Sequence, residues 1–308
     1  MQTDVRILSL MENVKKVIYG KDDIIGMAVT ALLAGGHVLI EDVPGVGKTQ
    51  LATALAKSVG GQFGRLQMTP DVMPSDVIGF SLVKPGSGEL EFRKGAVFCN
   101  FLLADEINRA SPKSQSALLE AMEERQVSID GETYPLERPF MVFATQNPVE
   151  TYGTYHLPEA QMDRFLMKIT MGYPREEWER AILRRGEERS AATLSPVLTL
   201  EDVAQLMEQA AAVRCSESAE TYLLSLIAAT RTDPGIRLGA SPRGSLALHK
   251  ASRAYAYLCG RDYVIPDDIR FLAPCVLGHR LLLSPQGRSR WADGAEAVRQ
   301  ILETVPVP

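Results

Sequence analysis

The segment from Glu41 to Thr49, EDVPGVGKT, contains residue types that bind phosphate at a spacing suited to it. Gly45 and Gly47 allow successive backbone N–H groups to turn inward around an anion. Lys48 can reach the β- and γ-phosphates of a nucleotide, and the hydroxyl of Thr49 can ligate Mg²⁺. The segment follows an apolar run and precedes an Ala- and Leu-rich run, so it predicts a phosphate-binding loop between a strand and a helix.

This loop departs from the general pattern at one position. The pattern G-x-x-x-x-G-K-[ST] requires glycine where this chain has Asp42. A carboxylate is unfavourable beside phosphates, so we expect it to point away from them. The alternative interpretation is a Gly-rich turn that happens to precede Lys-Thr.

A pair of carboxylates follows the apolar run 97–104. A buried strand that delivers Asp105 and Glu106 to its C-terminal end places them where ligands bind in open α/β sheets. Asp105 would hold Mg²⁺ through water, and Glu106 would polarise the water that attacks the γ-phosphate. The alternative is a solvated turn after a strand.

Three further polar residues fit the same chemistry. Asn147, in FATQNP, can orient an attacking water, although Asn-Pro is also a common turn. Arg164, in QMDRF, and Arg243, in GASPRG, can stabilise charge on a transferring phosphoryl group, and a neighbouring subunit can supply such an arginine. A surface ion pair is the alternative for each arginine, and for Arg164 the partner would be Glu159 or Asp163.

The elements around these residues predict two domains. Residues 1–172 alternate apolar strand-like runs with helical runs, which favours an α/β fold with a mostly parallel sheet. Hairpin inserts are predicted near 74–95 and near 127–137, the second from Asp130-Gly131 between β-prone runs. Residues 173–308 read as a smaller, wholly helical domain in which we expect no strand.

Composition excludes several classes of protein. The 308 residues include 33 Lys and Arg against 38 Asp and Glu, a net charge of −5 that disfavours a nucleic-acid binder. Four separated cysteines without a CxxC pair favour reduced thiols in a cytosolic protein. Neither a signal peptide nor an apolar stretch of membrane-spanning length is predicted.

Four long segments together resemble the MoxR family of AAA+ ATPases, in the branch that includes magnesium chelatases. The resemblance covers roughly residues 5–275. The matching sequence segments are GGHVLIEDVPGVGKT, FRKGAVFCNFLLADEINRASPKSQSALLEAMEERQVSIDG, FATQNPVETYGTYHLPEAQMDRF and GASPRG.

The resemblance implies a P-loop NTPase core with a helical lid and a role for each candidate residue. It implies ATP and Mg²⁺ as cofactors, with Asp105 and Glu106 as Walker B. Asn147 would be sensor 1, Arg164 the arginine finger and Arg243 sensor 2. Thr49 and Asp105 would hold the metal, and the nucleotide would contact Tyr19, Gly20, Asp42, Val43, Pro44, Gly45, Val46, Gly47, Lys48, Thr49 and Gln50.

The resemblance also implies partners and a biological role. The family forms rings, usually hexameric, that work as chaperone-like motors on protein clients in the cytoplasm. Its usual partners contain von Willebrand factor A domains, often in metal-cofactor insertion or complex maturation. Two alternatives remain open: a nucleotide-dependent assembly module with little turnover, and a nucleic-acid motor, which the net charge disfavours.

Overall fold

A computed structural model describes residues 3–86, 89–148, 155, 157–185 and 191–308 of the chain. The helices in these ranges are α1 (Val5–Lys15), α2 (Asp22–Leu33), α3 (Lys48–Ser58), α4 (Pro74–Ile78), α5 (Pro112–Glu124), α6 (Glu159–Met162), α7 (Glu176–Arg185), α8 (Leu200–Ala212), α9 (Glu217–Thr232), α10 (Pro242–Leu258), α11 (Pro266–Leu277), α12 (Pro285–Arg290) and α13 (Gly294–Thr304). The strands are β1 (Val38–Glu41), β2 (Phe63–Gln67), β3 (Gly79–Val83), β4 (Leu90–Lys94), β5 (Phe101–Asp105), β6 (Gln126–Ile129), β7 (Glu132–Pro135), β8 (Met141–Gln146), β9 (Met167–Ile169), β10 (Ile236–Leu238) and β11 (Leu282–Leu283).

Five of these strands form one parallel sheet in the order β2-β5-β8-β1-β9. The three central strands are buried on both faces, which explains why their sequences are continuous apolar runs. In the register, Phe143 lies opposite Leu103 on one side and Val38 on the other. The C-terminal ends of β5, β8 and β1 therefore lie side by side.

Two hydrophobic clusters cover the two faces of the sheet. On one face, Val38, Ile40 and Leu103 belong to a cluster with apolar residues of α1, α2, α3, α8, α9, α10, α11 and α13. On the other face, Leu39 and Leu102 belong to a cluster with α5 and the segments around the hairpins. Successive strand residues join opposite clusters because side chains alternate across a strand.

Helix starts follow capping residues that are visible in the sequence. Ser111 accepts the backbone N–H of Ser114 ahead of α5, and Ser241 accepts that of Gly244 ahead of α10. A proline occupies the first turn of each helix, where a missing N–H costs nothing. The cap at Ser241 fixes where α10, which carries Arg243, begins.

Both predicted hairpins are present. β3 pairs with β4, and β6 pairs with β7, both antiparallel. Asp130 and Gly131 have φ values of 53° and 84°, as a two-residue turn with positive φ at both central residues requires. Phe92 of the first hairpin stacks on Tyr134 of the second with ring centroids 4.1 Å apart, so the hairpins contact each other.

The C-terminal part is helical, as predicted, but the expectation of no strand there is wrong. β10 pairs with β11 in a short antiparallel ribbon. Runs of three and two residues are too short to show a strand period, and their pairing joins positions far apart in the chain. Among the residues described, none of the helices combines the length and apolar character that crossing a bilayer would require.

Candidate functional site

The phosphate-binding loop lies between β1 and α3, as predicted. Gly45 and Gly47 have φ values of 85° and 97°, which favour glycine, and a Cβ on Gly45 would meet nothing within 4 Å. α3 begins at Lys48 without a hydrogen bond from a capping side chain. Its first N–H groups and its positive dipole end therefore lie at the loop, where they can bind an anion.

Asp42 and Lys48 both bond to the backbone at the start of this loop. The Asp42 carboxylate is buried and accepts the N–H of Val43 over 2.8 Å and that of Gly172 over 2.6 Å. Lys48 Nζ donates to the Asp42 carbonyl oxygen over 2.8 Å. Asp42 therefore ties the loop to the chain just after β9, and its carboxylate bonds backbone amides.

Gln50, the last predicted residue of the loop region, faces the C-terminal part of the chain. Its Oε1 accepts the N–H of Ala191 over 2.9 Å. Pro44 and Gly45 at the loop tip are exposed, whereas Val46 packs on the larger hydrophobic cluster. The loop is thus anchored on both sides while its tip stays open.

The acidic pair lies at the C-terminal end of β5, where one hydroxyl bonds the carboxylate of Asp105 and the backbone N–H of Glu106. Thr145 Oγ1 on β8 donates to Asp105 Oδ1 over 2.5 Å and accepts the N–H of Glu106 over 2.8 Å. Arg65 on β2 donates to Asp105 Oδ2 over 2.8 Å. The side chain of Asp105 is 15% exposed, and each of its carboxylate oxygens accepts a hydrogen bond.

Glu106 has a backbone conformation that non-glycine residues rarely adopt, with φ of 57°. Gln67 Nε2 donates to its Oε2 over 2.7 Å, and Arg109 donates to the same oxygen over 2.9 Å. Two donors therefore hold this carboxylate at the end of β2 and β5. Such strain is compatible with a functional position.

Asn147 lies at the same sheet edge. It follows β8, which lies between β5 and β1, and it is buried. Beside it, Gln146 has a buried Oε1 without a hydrogen-bond partner, so an acceptor is left unpaired next to the loop. The structure thus brings the loop, the acidic pair and Asn147 to one edge, as the sequence predicts.

Arg164 and Arg243 lie elsewhere. The N–H of Leu166 donates to the His37 carbonyl oxygen over 2.8 Å, just before β9 and β1 begin. Arg164 therefore lies at the N-terminal edge of the sheet, whereas Lys48 follows the C-terminal end of β1. Arg164 and Arg243 both line one cavity, so Arg243 lies near Arg164. Within one copy, the structure does not bring the two arginines to the phosphate-binding loop.

The segment that carries Arg164 is held by Ser241, which precedes α10, and by Arg280, which follows α11. Arg280 donates to the carbonyl and carboxylate oxygens of Asp163, and Ser241 donates to the same carboxylate over 2.9 Å. Asp163 is therefore engaged by residues other than Arg164, and the side chain of Glu159 lies outside the described residues. The ion-pair partner of Arg164 is Glu123, at 2.9 Å.

His37 lines the cavity shared by Arg164 and Arg243, and its ring has a fixed tautomer. Its Nδ1 accepts the N–H of Val142 over 3.0 Å, so its Nε2 donates to the Met122 carbonyl oxygen over 3.1 Å. Burial lowers the pKa of His37 to about 4. Burial also lowers the pKa of Arg125, which donates to the Gly35 carbonyl oxygen over 2.6 Å.

Tyr19 and Gly20, predicted to contact the nucleotide, line a cavity of about 580 Å³ with Met171 and Trp178. The rings of Tyr19 and Trp178 are parallel to within 7°, with centroids 6.2 Å apart. A Cβ on Gly20 would lie 2.2 Å from the indole, so only glycine fits there. Met171 Cε lies 3.7 Å from where a Cβ on Gly47 would be, so the cavity adjoins the phosphate-binding loop.

Sequence reasoning missed several residues of this site. Nothing in the local sequence around Trp178 points to its contact with Tyr19. Thr145, Gln67 and Arg65 were missed because their contacts cross between neighbouring strands. For Gln67 and Thr145 the available signal was a polar residue near the C-terminal end of a predicted strand, whereas Arg65 lies in the middle of β2.

One group of ligand-type side chains lies away from this site. Potential ligand atoms of Cys215, Glu220 and His249 lie within 4.8 Å of one another. Burial lowers the pKa of His249 and raises that of Cys215, and the Arg253 guanidinium lowers both. A metal ion there would meet the like charge of Arg253, and the Glu220 side chain is 53% exposed, so we assign no metal to this group.

The parallel sheet with a phosphate-binding loop at its C-terminal edge, followed by helices, defines an ATPase of the AAA class. The model of the ATPase family associated with various cellular activities (AAA) matches residues 37–167. The AAA lid domain model matches residues 228–304.

Similar proteins narrow the class. The chain is 44% identical to Chaperone MoxR1 of Mycobacterium tuberculosis, over 96% of this chain and 80% of that protein. It is 36% identical to Protein MoxR of Methylorubrum extorquens, over 96% and 93%. It is also 51% identical to the uncharacterised YeaC of Bacillus subtilis, over 97% and 93%. The chain belongs to the MoxR family of AAA+ ATPases.

A solved structure supports the same fold. It is a crystal structure of a Cytophaga hutchinsonii protein for which ATPase activity has been proposed. The TM-score is 0.90 at 39% identity, covering 99% of this chain and 95% of that one.

Proposed function

We propose that this chain is a ring-forming, Mg²⁺-dependent ATP hydrolase whose turnover remodels a protein partner in the cytoplasm. One observation carries the proposal: the phosphate-binding loop and acidic pair lie at one sheet edge, while both candidate arginines lie at the other. A single copy therefore holds an incomplete site. The proposal takes residues 1–172 as the nucleotide-binding core and 173–308 as the lid.

Binding of ATP would use groups that are already in place. The N–H groups around Gly45 and Gly47, the start of α3 and Lys48 would hold the phosphates. The base would enter the cavity lined by Tyr19 and Trp178. Thr49 and Asp105 would hold Mg²⁺, directly or through water, and the bound ion would neutralise charge on the β- and γ-phosphates.

Hydrolysis would use the carboxylate of Glu106. Glu106 would accept a proton from the water that attacks the γ-phosphorus, while Asn147 orients that water. The bond from the γ-phosphorus to the bridging oxygen breaks, giving ADP and inorganic phosphate. Gln67 and Arg109, which now bond Glu106, would have to yield for that carboxylate to reach the water.

The arginines would serve a neighbouring copy. β1 has four residues, so its two ends are about 13 Å apart at roughly 3.3 Å per residue. That separation disfavours contact between Arg164 or Arg243 and the nucleotide of the same copy. In a ring, each copy would present these arginines to the next phosphate-binding loop, and six copies are expected from the family resemblance.

The partner is proposed on family grounds. The name Chaperone MoxR1 describes a relative at 44% identity, and a protein client is the corresponding proposal for this chain. A partner with a von Willebrand factor A domain and a role in metal-cofactor insertion are the finer proposals.

Mixing two inactive variants tests the shared site. Arg164→Ala and Glu106→Gln are each expected to lose hydrolysis while still binding ATP. Mixed rings would contain some interfaces with an intact Glu106 and an intact Arg164, so phosphate release should partly return. Absence of recovery, in mixtures shown by native mass measurement to be mixed rings, would contradict the shared site.

Two alternatives have their own measurements. An assembly module with little turnover would release almost no phosphate in a steady-state assay of the wild-type protein. A nucleic-acid motor would bind single-stranded DNA with an affinity that falls steeply with salt. The net charge of −5 disfavours the second alternative.

A further inference from the structure

Glu123, at the C-terminal end of α5, contacts both candidate arginines at once. Its Oε2 lies 2.9 Å from Arg164 Nε, and its Oε1 accepts a hydrogen bond from Arg243 Nη2. Arg164 precedes β9, whereas Arg243 belongs to the first turn of α10. One carboxylate thus joins two arginines that lie far apart in the sequence.

Glu123 lies among charged side chains that are mostly cationic. The shared cavity, of about 300 Å³, is lined by five cationic side chains and two carboxylates. One carboxylate, Asp163, is bound by Arg280 and Ser241. Glu123 is therefore the carboxylate that offsets the mutual repulsion of Arg164 and Arg243.

The cluster stays open to solvent. The side chains of Glu123, Arg164 and Arg243 are 32%, 27% and 47% exposed. The Arg164 contact is an ion pair without an aligned hydrogen bond, because its buried Nε has no hydrogen-bond partner. An anion on a second copy can therefore approach both guanidinium groups.

We propose that Glu123 is a positioning residue that holds Arg164 and Arg243 side by side, so that both reach the same phosphoryl group on a neighbouring copy. The inference rests on the proposed function. A guanidinium held in advance loses less conformational freedom when it binds a phosphate, and near-attack geometry depends on such placement. Glu123 thus acts on the reaction through the two arginines.

The test compares Glu123→Gln with Glu124→Gln, its exposed neighbour at the end of the same helix. Glu123→Gln should lower kcat at least about tenfold, while the affinity for a fluorescent ATP analogue and the ring mass stay unchanged. Glu124→Gln should match the wild type. Unchanged kcat in Glu123→Gln, or a loss explained by failed ring assembly, would overturn the inference.

A double-variant comparison separates positioning from a general structural effect. In an Arg243→Ala background half of the pairing is already gone, so Glu123→Gln should lower kcat by a smaller factor than in the wild-type background. Equal factors in the two backgrounds would contradict the inference. If Glu123→Gln fails to fold, Glu123→Asp keeps the charge but is one methylene shorter. It should retain the fold and still lose kcat, and wild-type kcat would overturn the inference.

The outcomes also distinguish this inference from the proposed function. If the wild type does not hydrolyse ATP, or Arg164→Ala turns over normally, the proposed function fails. If both behave as expected and Glu123→Gln turns over like the wild type, only the role of Glu123 fails.

Discussion

The hydroxyl of Thr145 donates to Asp105 Oδ1 over 2.5 Å, joining β8 to the end of β5. The hydroxyl oxygen of Thr145 also accepts the N–H of Glu106 over 2.8 Å, and Thr145 is fully buried. One small side chain therefore sets the orientation of the proposed metal-binding carboxylate and the backbone of the proposed base.

Thr145→Val should keep the fold but weaken this orientation. Valine matches the shape but leaves the Glu106 N–H without its acceptor, at a cost of about 1–3 kcal/mol in stability. Loss of a group that orients a metal ligand typically costs about 10–100-fold in activity or metal affinity. Phosphate release measured against Mg²⁺ concentration should show that loss. Thr145→Ser keeps the hydroxyl and should behave nearly as the wild type; similar losses in both would refute the role.

Lys48→Ala should nearly abolish ATP binding, because it removes the cation proposed to bind the β- and γ-phosphates. A titration with a fluorescent ATP analogue and Mg²⁺ measures the affinity. Lys57→Ala, in the last turn of the same helix, is the matched control and should bind normally. Unchanged affinity in Lys48→Ala would remove the assignment of the phosphate-binding loop.

Glu106→Gln should bind ATP but release phosphate about 10²–10⁴ times more slowly, the usual cost of losing a general base. The amide keeps the shape of the side chain but cannot accept the proton of water. Glu208→Gln, an exposed change on α8, controls for loss of one charge. Wild-type turnover in Glu106→Gln would place the base elsewhere.

Trp178 should report directly on the nucleotide base. The chain has two tryptophans, and the buried Trp291 can be changed to Phe so that Trp178 alone fluoresces. A fluorescent ATP analogue should then quench Trp178 by energy transfer. Base stacking is worth about 1–3 kcal/mol per aromatic, so Trp178→Ala should weaken ATP binding about tenfold. Unquenched Trp178 with normal affinity in Trp178→Ala would exclude the base from this cavity.

Stability should fall on mild acidification because of two buried histidines. Burial lowers the pKa of His37 to about 4 and that of His279 to about 3, from an ordinary 6.5. Below pH 6.5 the unfolded chain therefore binds protons that the folded chain does not. Each histidine should remove about 1.4 kcal/mol of unfolding free energy per pH unit as the pH falls from 6.5 towards 4. Denaturant titrations at several pH values give the unfolding free energy as a function of pH. That free energy should fall less steeply on acidification in His37→Gln than in the wild type, and an equal dependence on pH would contradict this account.

Structural features that depend on a single segment could be predicted from the local sequence. The loop with Gly45 and Gly47, the buried parallel strands and the turn at Asp130-Gly131 were predicted and are present. Strand limits were less accurate. The apolar run from Val97 predicts a strand, but β5 begins only at Phe101, because the N–H groups of residues 100 and 101 both donate to the Gln62 carbonyl oxygen.

Contacts between distant segments could not be predicted. The pairing of Glu123 with Arg243 depends on how α10 packs against the end of α5, and neither sequence pattern specifies it. The approach of Trp178 to Tyr19 likewise depends on the path of the chain after β9. Residue types identified the chemistry here, whereas the fold decided which groups meet in one copy.

The larger hydrophobic cluster makes the C-terminal helices inseparable from the sheet. Leu206, Leu248 and Leu272 belong to the same cluster as Leu51 of α3 and Val38 of β1. Removing those helices would bare apolar surface on both pieces, so heat should melt them together in one cooperative transition. Because side chains of both parts pack together in this cluster, any movement of the helices relative to the sheet would have to be a shear in which packed side chains slide past one another.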